Sequence, residues 1–470
     1  RREIARRLKA LLSRMESLPR ELRPYQVEAL QAVIRWLEDP KGTSRAYIEH
    51  ATGLGKTELF AAIVSACVGL RALIVVPTKT LIEQTARRVV AYTGGMLGHL
   101  SSLGPIKDEG GVIIAIRGHE FCDILVTTDE SLKLHGRFLA EQFAPHLVIR
   151  DECHGSYSEP EQAIMDYFSD AVVLGFTATP DYLGSIVKDS YVPVTLDNGR
   201  VLYAPPNRIA HAHYGNCLDQ RTVRWGIEAG YLAPLAWGHI EFDVSLDDVS
   251  VVEGGDVGSD YSDAQLQALL RKHWQFMVDT VVQLYKHGEY DLPNRQVFAV
   301  CASVREAQQI ANALKDAGYP AACITGKTRD KERRSILEKF KAGEIKFLSS
   351  VMVLREGWDA PNAEVCLMLR PTKSRVLYMQ SMGRVLRTMP DGSFKCALVI
   401  DAYFLNTKFA PLSAPVLFGL PGQTVEDGGI LVGPKDGYVA IPTKSPYQRP
   451  GVKPKVMVIP AEYEVERWAG

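Results

Sequence analysis

The sequence predicts an α/β protein built from two parallel-sheet domains in tandem, with an insertion between them and a small C-terminal appendage. Three observations carry this expectation. The chain has 470 residues, which at roughly 150 residues per domain suggests about three folded units. Two stretches alternate short β-branched runs with amphipathic helical segments, the pattern of parallel sheets covered by helices. Between and after them the texture changes, first to an acid-rich segment and then to a proline-punctuated one. The expected division is a basic helix over 1–20, a first α/β domain over 21–195 and a connector over 196–290. A second α/β domain over 291–405 and the appendage over 406–470 complete the chain.

Arg1–Leu18 is basic and carries Ile4, Leu8, Leu11, Leu12, Met15 and Leu18 at helical spacing. That predicts a packing helix rather than a secretory signal or transit peptide. The chain begins at Arg1 rather than Met, so the numbering is expected to cover part of a longer product. In the first domain strands are expected at Ala72–Val76, Val112–Ile116, Asp123–Thr127, His146–Arg150 and Ala171–Phe176. Helices fit at Glu58–Leu70, Thr80–Tyr92 and Pro160–Phe168. In the second domain strands are expected near Val297–Cys301, Lys346–Ser350, Glu364–Leu369 and Ala397–Asp401, with helices at Val304–Ala317, Asp330–Lys341 and Ser374–Arg387. Asp243–Asp263 holds seven acidic residues and no basic ones around a Gly-rich run, which predicts a mobile surface insertion. After Asp401, prolines from Pro411 to Pro460 punctuate short apolar runs and predict a loop-rich appendage.

Hydrophobic residues make up 46% and charged residues 23%, an ordinary soluble globular composition. Lys and Arg total 54 against 55 Asp and Glu, for a net charge of −1, which excludes a histone-like polycation or an acidic tail protein. Neutrality here averages over segregated patches, because basic residues gather at Arg1–Arg23, Lys327–Lys346 and Arg370–Lys395. No apolar run approaches the roughly 18 residues that span a bilayer, so no membrane partner is expected. The eight cysteines never approach C-x-x-C spacing and mostly sit in apolar runs. Buried free thiols of a reducing cytoplasm fit better than a disulfide framework or zinc site.

Three motifs carry chemistry. Ala51-Thr52-Gly53-Leu54-Gly55-Lys56-Thr57 lies between an apolar run around Tyr47–Ile48 and a predicted helix. Small residues there let backbone N–H groups close around phosphate oxygens at a helix N-terminus. Lys56 can reach the outer phosphates and the Thr57 hydroxyl can bind Mg²⁺. The strict phosphate-loop pattern wants Gly where this chain has His50. Asp151-Glu152-Cys153-His154 follows a predicted strand, so its acids point into the crevice where ligands bind. Asp151 would hold Mg²⁺ and Glu152 would activate the attacking water. Gln380, Arg384 and Arg387, spaced by four and three, would share one helix face and meet a developing phosphoryl charge. Arg150, next to Asp151 on its strand, should face the opposite side, with its guanidinium in solvent or near an acid.

In this order, these elements resemble the superfamily 2 DExH-type helicases and translocases over about residues 20 to 405. Arg23-Pro24-Tyr25-Gln26 is similar to that family's adenine-contacting element, which implies nucleotide contacts for Arg23 and Gln26. Pro77–Thr80 and Thr127-Thr128 match its motifs Ia and Ib, and Thr177-Ala178-Thr179-Pro180 matches motif III. Glu356-Gly357-Trp358-Asp359 matches motif V, and Gln380–Arg387 matches motif VI. The RPYQ start, the D-E-C-H box, Arg370–Ser374 and Gly230–Pro234 look most like the RadD-like branch, related to type I and III restriction motor subunits.

The resemblance implies two RecA-like domains with ATP and Mg²⁺ as cofactors. It implies nucleic acid as partner, DNA favoured over RNA, and partner subunits of a repair or defence complex. Carried over residue by residue, Thr52, Gly53, Leu54, Gly55, Lys56, Thr57, Gly357 and Asp359 would hold nucleotide, and Thr57 and Asp151 the metal. Thr78, Lys79, Thr128, Ser303 and Ser350 would contact the nucleic-acid backbone. His154, Thr177 and Thr179 would couple the two sites. The expected function is an ATP-dependent nucleic-acid helicase or translocase that moves along or unwinds DNA; the alternatives are a duplex translocase without unwinding and a nucleotide-gated DNA-binding module of a larger complex.

Overall fold

A computed structural model describes residues 1–120, 122–153, 164–179, 192–195, 201–204, 210–254, 258–287, 290–351, 360–405, 411–417 and 430–432. The described residues divide into two compact units, before and after the Thr222–Val223 boundary. Among them, no helix is long and apolar enough to cross a membrane.

The first unit opens with α1 (Arg2–Leu12) and α2 (Pro24–Glu38), then β1 (Arg45–His50), α3 (Lys56–Ala66), β2 (Ala72–Val76) and α4 (Lys79–Thr93). It continues through β3 (Leu97–Leu100), β4 (Ile106–Lys107), β5 (Ile113–Arg117), β6 (Ile124–Thr128), α5 (Asp129–Phe138), β7 (Leu147–Arg150) and β8 (Val172–Thr177). A separate antiparallel pair, β9 (Val192–Thr195) and β10 (Val201–Ala204), precedes α6 (Ala210–Tyr214) and β11 (Asn216–Arg221). The nine-stranded sheet runs β11-β1-β8-β7-β2-β6-β3-β5-β4, parallel except where β4 meets β5.

Its central strands β2 and β7 are buried along their whole length, which is why β2 reads as an unbroken apolar run and β7 as one interrupted only by Arg150 at its end. The basic N-terminal segment does pack: Ile4, Leu8 and Leu11 of α1 join Leu30, Val33, Phe60 and Ile63 in the core. Pro24 sits at the start of α2, where its missing N–H costs nothing, and the Gln26 side chain accepts from the Arg23 N–H to close the first turn.

Strands β3, β4 and β11 lie outside the sequence-predicted set. Their short or polar sequences show no strand periodicity; β3 and β11 are decided by pairing with β6 and β1, farther along the chain, and two-residue β4 by folding back on neighbouring β5. Of the predicted helix Pro160–Phe168, residues 160–163 lie outside the described residues and a helical turn survives at 164–166.

The second unit comprises α7 (Val223–Glu228), β12 (Leu235–Ser245), the hairpin β13 (Val251–Gly254) and β14 (Gly258–Tyr261), and α8 (Asp263–His287). Then follow β15 (Val297–Val300), α9 (Val304–Asp316), β16 (Ala321–Ile324), α10 (Asp330–Lys341), β17 (Phe347–Ser350), β18 (Val365–Met368), α11 (Arg375–Met382), β19 (Ala397–Leu405), α12 (Ala414–Leu417) and β20 (Ile430–Val432). The sheet order is β16-β17-β15-β18-β19-β12-β20. All pairings are parallel except β20 on β12.

Three expectations change here. The segment read as a connector supplies a strand to each sheet, β11 to the first and β12 to the second. The acid-rich segment is no mobile insertion among its described residues. Val244, Leu246, Val249 and Tyr261 are core residues, and Asp260 is buried. Its carboxylate accepts from Arg370 Nη1 at 2.6 Å, Thr372 Oγ1 at 2.9 Å and the Lys373 N–H at 2.7 Å.

Finally, the predicted helix Ser374–Arg387 stops at Met382. The Arg384 N–H turns back to Ser381 O, Ala233 N–H takes Leu386 O, and Arg387 forms an antiparallel bridge with Leu232. Gln380, Arg384 and Arg387 therefore do not share one helix face; backbone pairing with a distant segment outcompetes the last helical turn.

Candidate phosphate-binding and catalytic site

In the first unit, β1 runs directly into the loop 51–55 and then α3. Gly53 and Gly55 adopt φ of 92° and 72°, left-handed values that side chains resist, so the loop turns tightly into the helix. Gly55 is the N-cap residue just before α3, and a Cβ on it would lie 2.8 Å from Gln26 Nε2. The loop thus presents its peptide groups at a helix N-terminus, an arrangement that suits an anion.

Two residues of α2 grip this loop. Tyr25 Oη donates to Leu54 O at 2.6 Å and Gln26 Nε2 donates to Gly55 O at 3.0 Å. Gln26 is buried and its carbonyl accepts from the Arg23 N–H, which leaves that oxygen one further lone pair. The Arg23 guanidinium donates to Tyr25 Oη at 3.3 Å. The RPYQ element and the phosphate loop are one packed assembly.

Lys56, buried at the start of α3, donates from Nζ to His50 O at 3.2 Å and stands 3.5 Å from Glu152 Oε1. Glu152 lies just beyond β7, the next strand but one from β1, and holds a φ of 48°. A left-handed non-glycine at a strand end is a strained placement that aims a side chain. Asp151 beside it is buried, and its Oδ1 accepts from the Glu152 N–H at 3.1 Å. Thr52 on the loop and Thr57 in the first turn of α3 are both half-buried. At the end of β8, Thr177 and Thr179 are buried, and the Thr179 N–H donates to Thr177 Oγ1 at 3.0 Å.

The structure therefore brings together Gln26, Gly53, Gly55, Lys56, Asp151 and Glu152. His154, Gly357 and Asp359 lie outside the described residues. Arg150 takes the acid among its two expected environments: it is buried, and Nη2 donates to Asp129 Oδ1 at 2.8 Å.

The candidate nucleic-acid contacts divide by exposure. Thr78 and Lys79 are exposed at the N-terminus of α4. Thr128 is buried and caps α5 by accepting from the Ser131 N–H, and Ser303 caps α9 by accepting from the Glu306 N–H. Ser350 is buried at the end of β17.

In the second unit, Gln380 and Arg384 are buried, and burial pushes the Arg387 pKa down to about 10. Nearby in sequence, Lys395 donates to Pro361 O at 2.6 Å, and burial lowers its ammonium pKa to about 7.

Sequence reasoning missed the partners behind the loop. His50 is fully buried, with Nε2 2.6 Å from Asp219 Oδ2 on β11, and the Ala51 N–H donates to Arg221 O at 2.8 Å. The one available signal was His50 itself, a bulky residue where the phosphate-loop pattern has glycine.

Comparison with known proteins agrees with this build. The model for the type III restriction enzyme res subunit matches residues 20–182, and that for the helicase conserved C-terminal domain matches residues 278–389. The chain is 26% identical over 440 residues to the Saccharomyces cerevisiae protein named as ATP-dependent helicase IRC3, covering 90% of this chain and 57% of that one. It is 26% identical over 382 residues to the DNA 3'-5' translocase XPB2 of Sulfurisphaera tokodaii, covering 78% and 79%. The chain spans 57% and 49% of the first two curated relatives it matches.

Among solved structures, the type ISP restriction-modification enzyme LlaBIII bound to DNA aligns with a TM-score of 0.55 at 16% identity, covering 83% of this chain and 28% of that one. Dbp5 of S. cerevisiae, bound to RNA and ADP BeF3, aligns at 0.50 and 16%, covering 86% and 88%. These likenesses show the tandem RecA-like fold. Residues 20–182 and 278–389 thus match the two helicase domains of the superfamily 2 helicases and translocases, and the chain is similar to that superfamily's restriction-enzyme motor branch.

Proposed function

We propose that the chain is an ATP-dependent nucleic-acid motor that acts on DNA. It would hydrolyse ATP to move along the strand or unwind it. One observation carries the reading: Lys56 of the phosphate loop and Glu152 at the end of β7 converge to 3.5 Å, beside the turn set by Gly53 and Gly55.

Loop N–H groups and Lys56 bind the phosphates, and the second lone pair of the Gln26 carbonyl suits the amino group of adenine. Mg²⁺, when bound, supplies neutralisation of phosphate charge, and the Thr57 hydroxyl and Asp151 carboxylate are the oxygen donors that would hold it. Glu152 orients the attacking water and accepts its proton. Arg384 and Arg387 are proposed to stabilise charge on the transferred phosphoryl group, as arginine fingers do. Thr78 and Lys79, exposed at the head of α4, are proposed to touch the nucleic-acid backbone, which makes binding salt-dependent and insensitive to sequence.

DNA is favoured because XPB2 is named a DNA translocase and the first family model is a restriction subunit. The deciding experiment measures ATPase rates with single-stranded, duplex and forked DNA and with structured RNA. DNA should stimulate turnover. Strong stimulation by structured RNA alone would overturn the DNA assignment. The restriction-subunit match also supports duplex translocation without strand separation, in which case the best DNA activator supports triplex displacement but no unwinding of a forked duplex.

A further inference from the structure

We propose that His50 and Asp219 form a positioning pair that holds the phosphate loop in its nucleotide-binding shape from the side of β11. The inference rests on the ATP reading above and gives a role to His50, where this chain departs from the phosphate-loop pattern, and to Asp219, which no sequence motif marks.

The loop is held at both ends. On one side, Tyr25 and Gln26 of α2 take the carbonyl oxygens of Leu54 and Gly55. On the other, β11 takes the residues where strand becomes loop: His50 Nε2 meets Asp219 Oδ2 at 2.6 Å and the Ala51 N–H donates to Arg221 O at 2.8 Å. Asp219 is itself steadied, because Arg221 donates to both its oxygens, Nε to Oδ2 at 3.1 Å and Nη2 to Oδ1 at 3.0 Å. Arg221 Nη2 also reaches Glu28 Oε2 of α2 at 2.6 Å, which closes the ring of contacts between the two gripping elements. The edge of the Tyr25 ring packs against the His50 imidazole with centroids 5.6 Å apart.

His50 also connects directly to chemistry, since its carbonyl oxygen accepts from Lys56 Nζ. A displaced His50 would therefore shift the acceptor that orients the phosphate-binding ammonium. Burial disfavours the charged imidazole, so the ring acts as a neutral donor from Nε2 to the carboxylate. A glycine-containing loop loses much backbone freedom when it closes on phosphate, and holding it in advance lowers that cost. Such a pair should tune nucleotide affinity more than the chemical step.

The test uses the full chain with Asp219→Asn, His50→Ala and His50→Gln, steady-state ATPase kinetics, equilibrium binding of a fluorescent ADP, and thermal melts. Asp219→Asn keeps the volume of the site and stands in if His50→Ala fails to fold. Both disruptive variants should raise KM and weaken ADP binding about tenfold, with kcat within about threefold. The double variant should be no worse than the weaker single, and His50→Gln, which keeps an N–H donor, should recover part of the loss. Unchanged KM and ADP affinity in Asp219→Asn, or strictly additive effects in the double variant, would overturn the pair while leaving the ATPase reading intact. A wild-type chain that neither binds nor hydrolyses ATP would remove both.

Discussion

Arg370 and Asp260, 110 residues apart, meet in a buried ion pair at 2.6 Å. The side chains are 2% and 6% exposed, and Thr372 and the Lys373 N–H also donate to the same carboxylate. The pair fastens the β13–β14 hairpin to the segment leading into α11. Removing the acid takes the acceptor from four donors, because the Tyr261 N–H also gives its hydrogen bond to Asp260 Oδ1 at 2.9 Å. Asp260→Ala should therefore destabilise the second unit by about 3–5 kcal/mol. Asp263, which contacts the same guanidinium but has a side chain 63% exposed, should cost no more than about 1 kcal/mol when changed to Ala. Chemical denaturation of the two variants checks this, and equal losses would refute it.

The catalytic assignment makes its own demand. Lys56→Ala and Glu152→Gln should each lower ATP turnover by at least about 100-fold while the melting transition persists. Wild-type turnover in both variants would show that the convergence of Lys56 and Glu152 serves packing alone.

Arg384 and Arg387 should separate chemistry from binding. Changing either to Ala should reduce kcat by about 1000-fold and leave nucleotide affinity within a few-fold. A rise in Kd with kcat preserved would instead make them structural cations.

Glu306 yields a pH-dependent prediction. Burial pushes its carboxyl up to about 7, against the opposing pull of the Ala302 and Ser303 N–H groups. A glutamate in the unfolded chain titrates near about 4.3, so stability from this group is full below that pH and is lost as pH rises through about 7. Glu306→Gln keeps an acceptor for the Ala302 N–H and has no charge to bury. It should exceed the wild type by about 3–4 kcal/mol at pH 8 and match it near pH 4.5. Denaturant midpoints at the two pH values decide, and a gain confined to the acid side would contradict the sign.

The N-terminal helix should behave as core. Leu8 of α1 is fully buried among α2 and α3 residues, so Leu8→Ala should destabilise the first unit by about 2–4 kcal/mol, measurable by thermal or denaturant melts. A neutral effect would mark α1 as an accessory segment.

Much of the site was readable along the chain because its parts are local. A strand, a glycine turn and a Lys-Thr pair at a helix start occupy adjacent residues, and the acids at 151–152 follow their strand directly. The central strands were readable because burial on both faces writes them as continuous apolar runs. The edge strand β11 was not, since Asn216–Arg221 carries mostly polar side chains and owes its conformation to backbone pairing with β1. Nor was the early end of α11, because Ser374–Arg387 keeps helical spacing throughout and only the bridge to Leu232 stops it.

The sequence by itself determined the α/β class, most strands and helices of both sheets, the glycine turn into α3 and the position of Asp151 and Glu152 at a strand end. Each of these depends on hydrogen bonds or burial patterns repeated within a few residues. Only the tertiary structure decided that the acid-rich segment is anchored through Asp260, that the connector lends a strand to each sheet, and that His50 is held by Asp219. Those outcomes depend on desolvated polar groups finding partners far away in the chain, and composition cannot report which partner a buried charge has found.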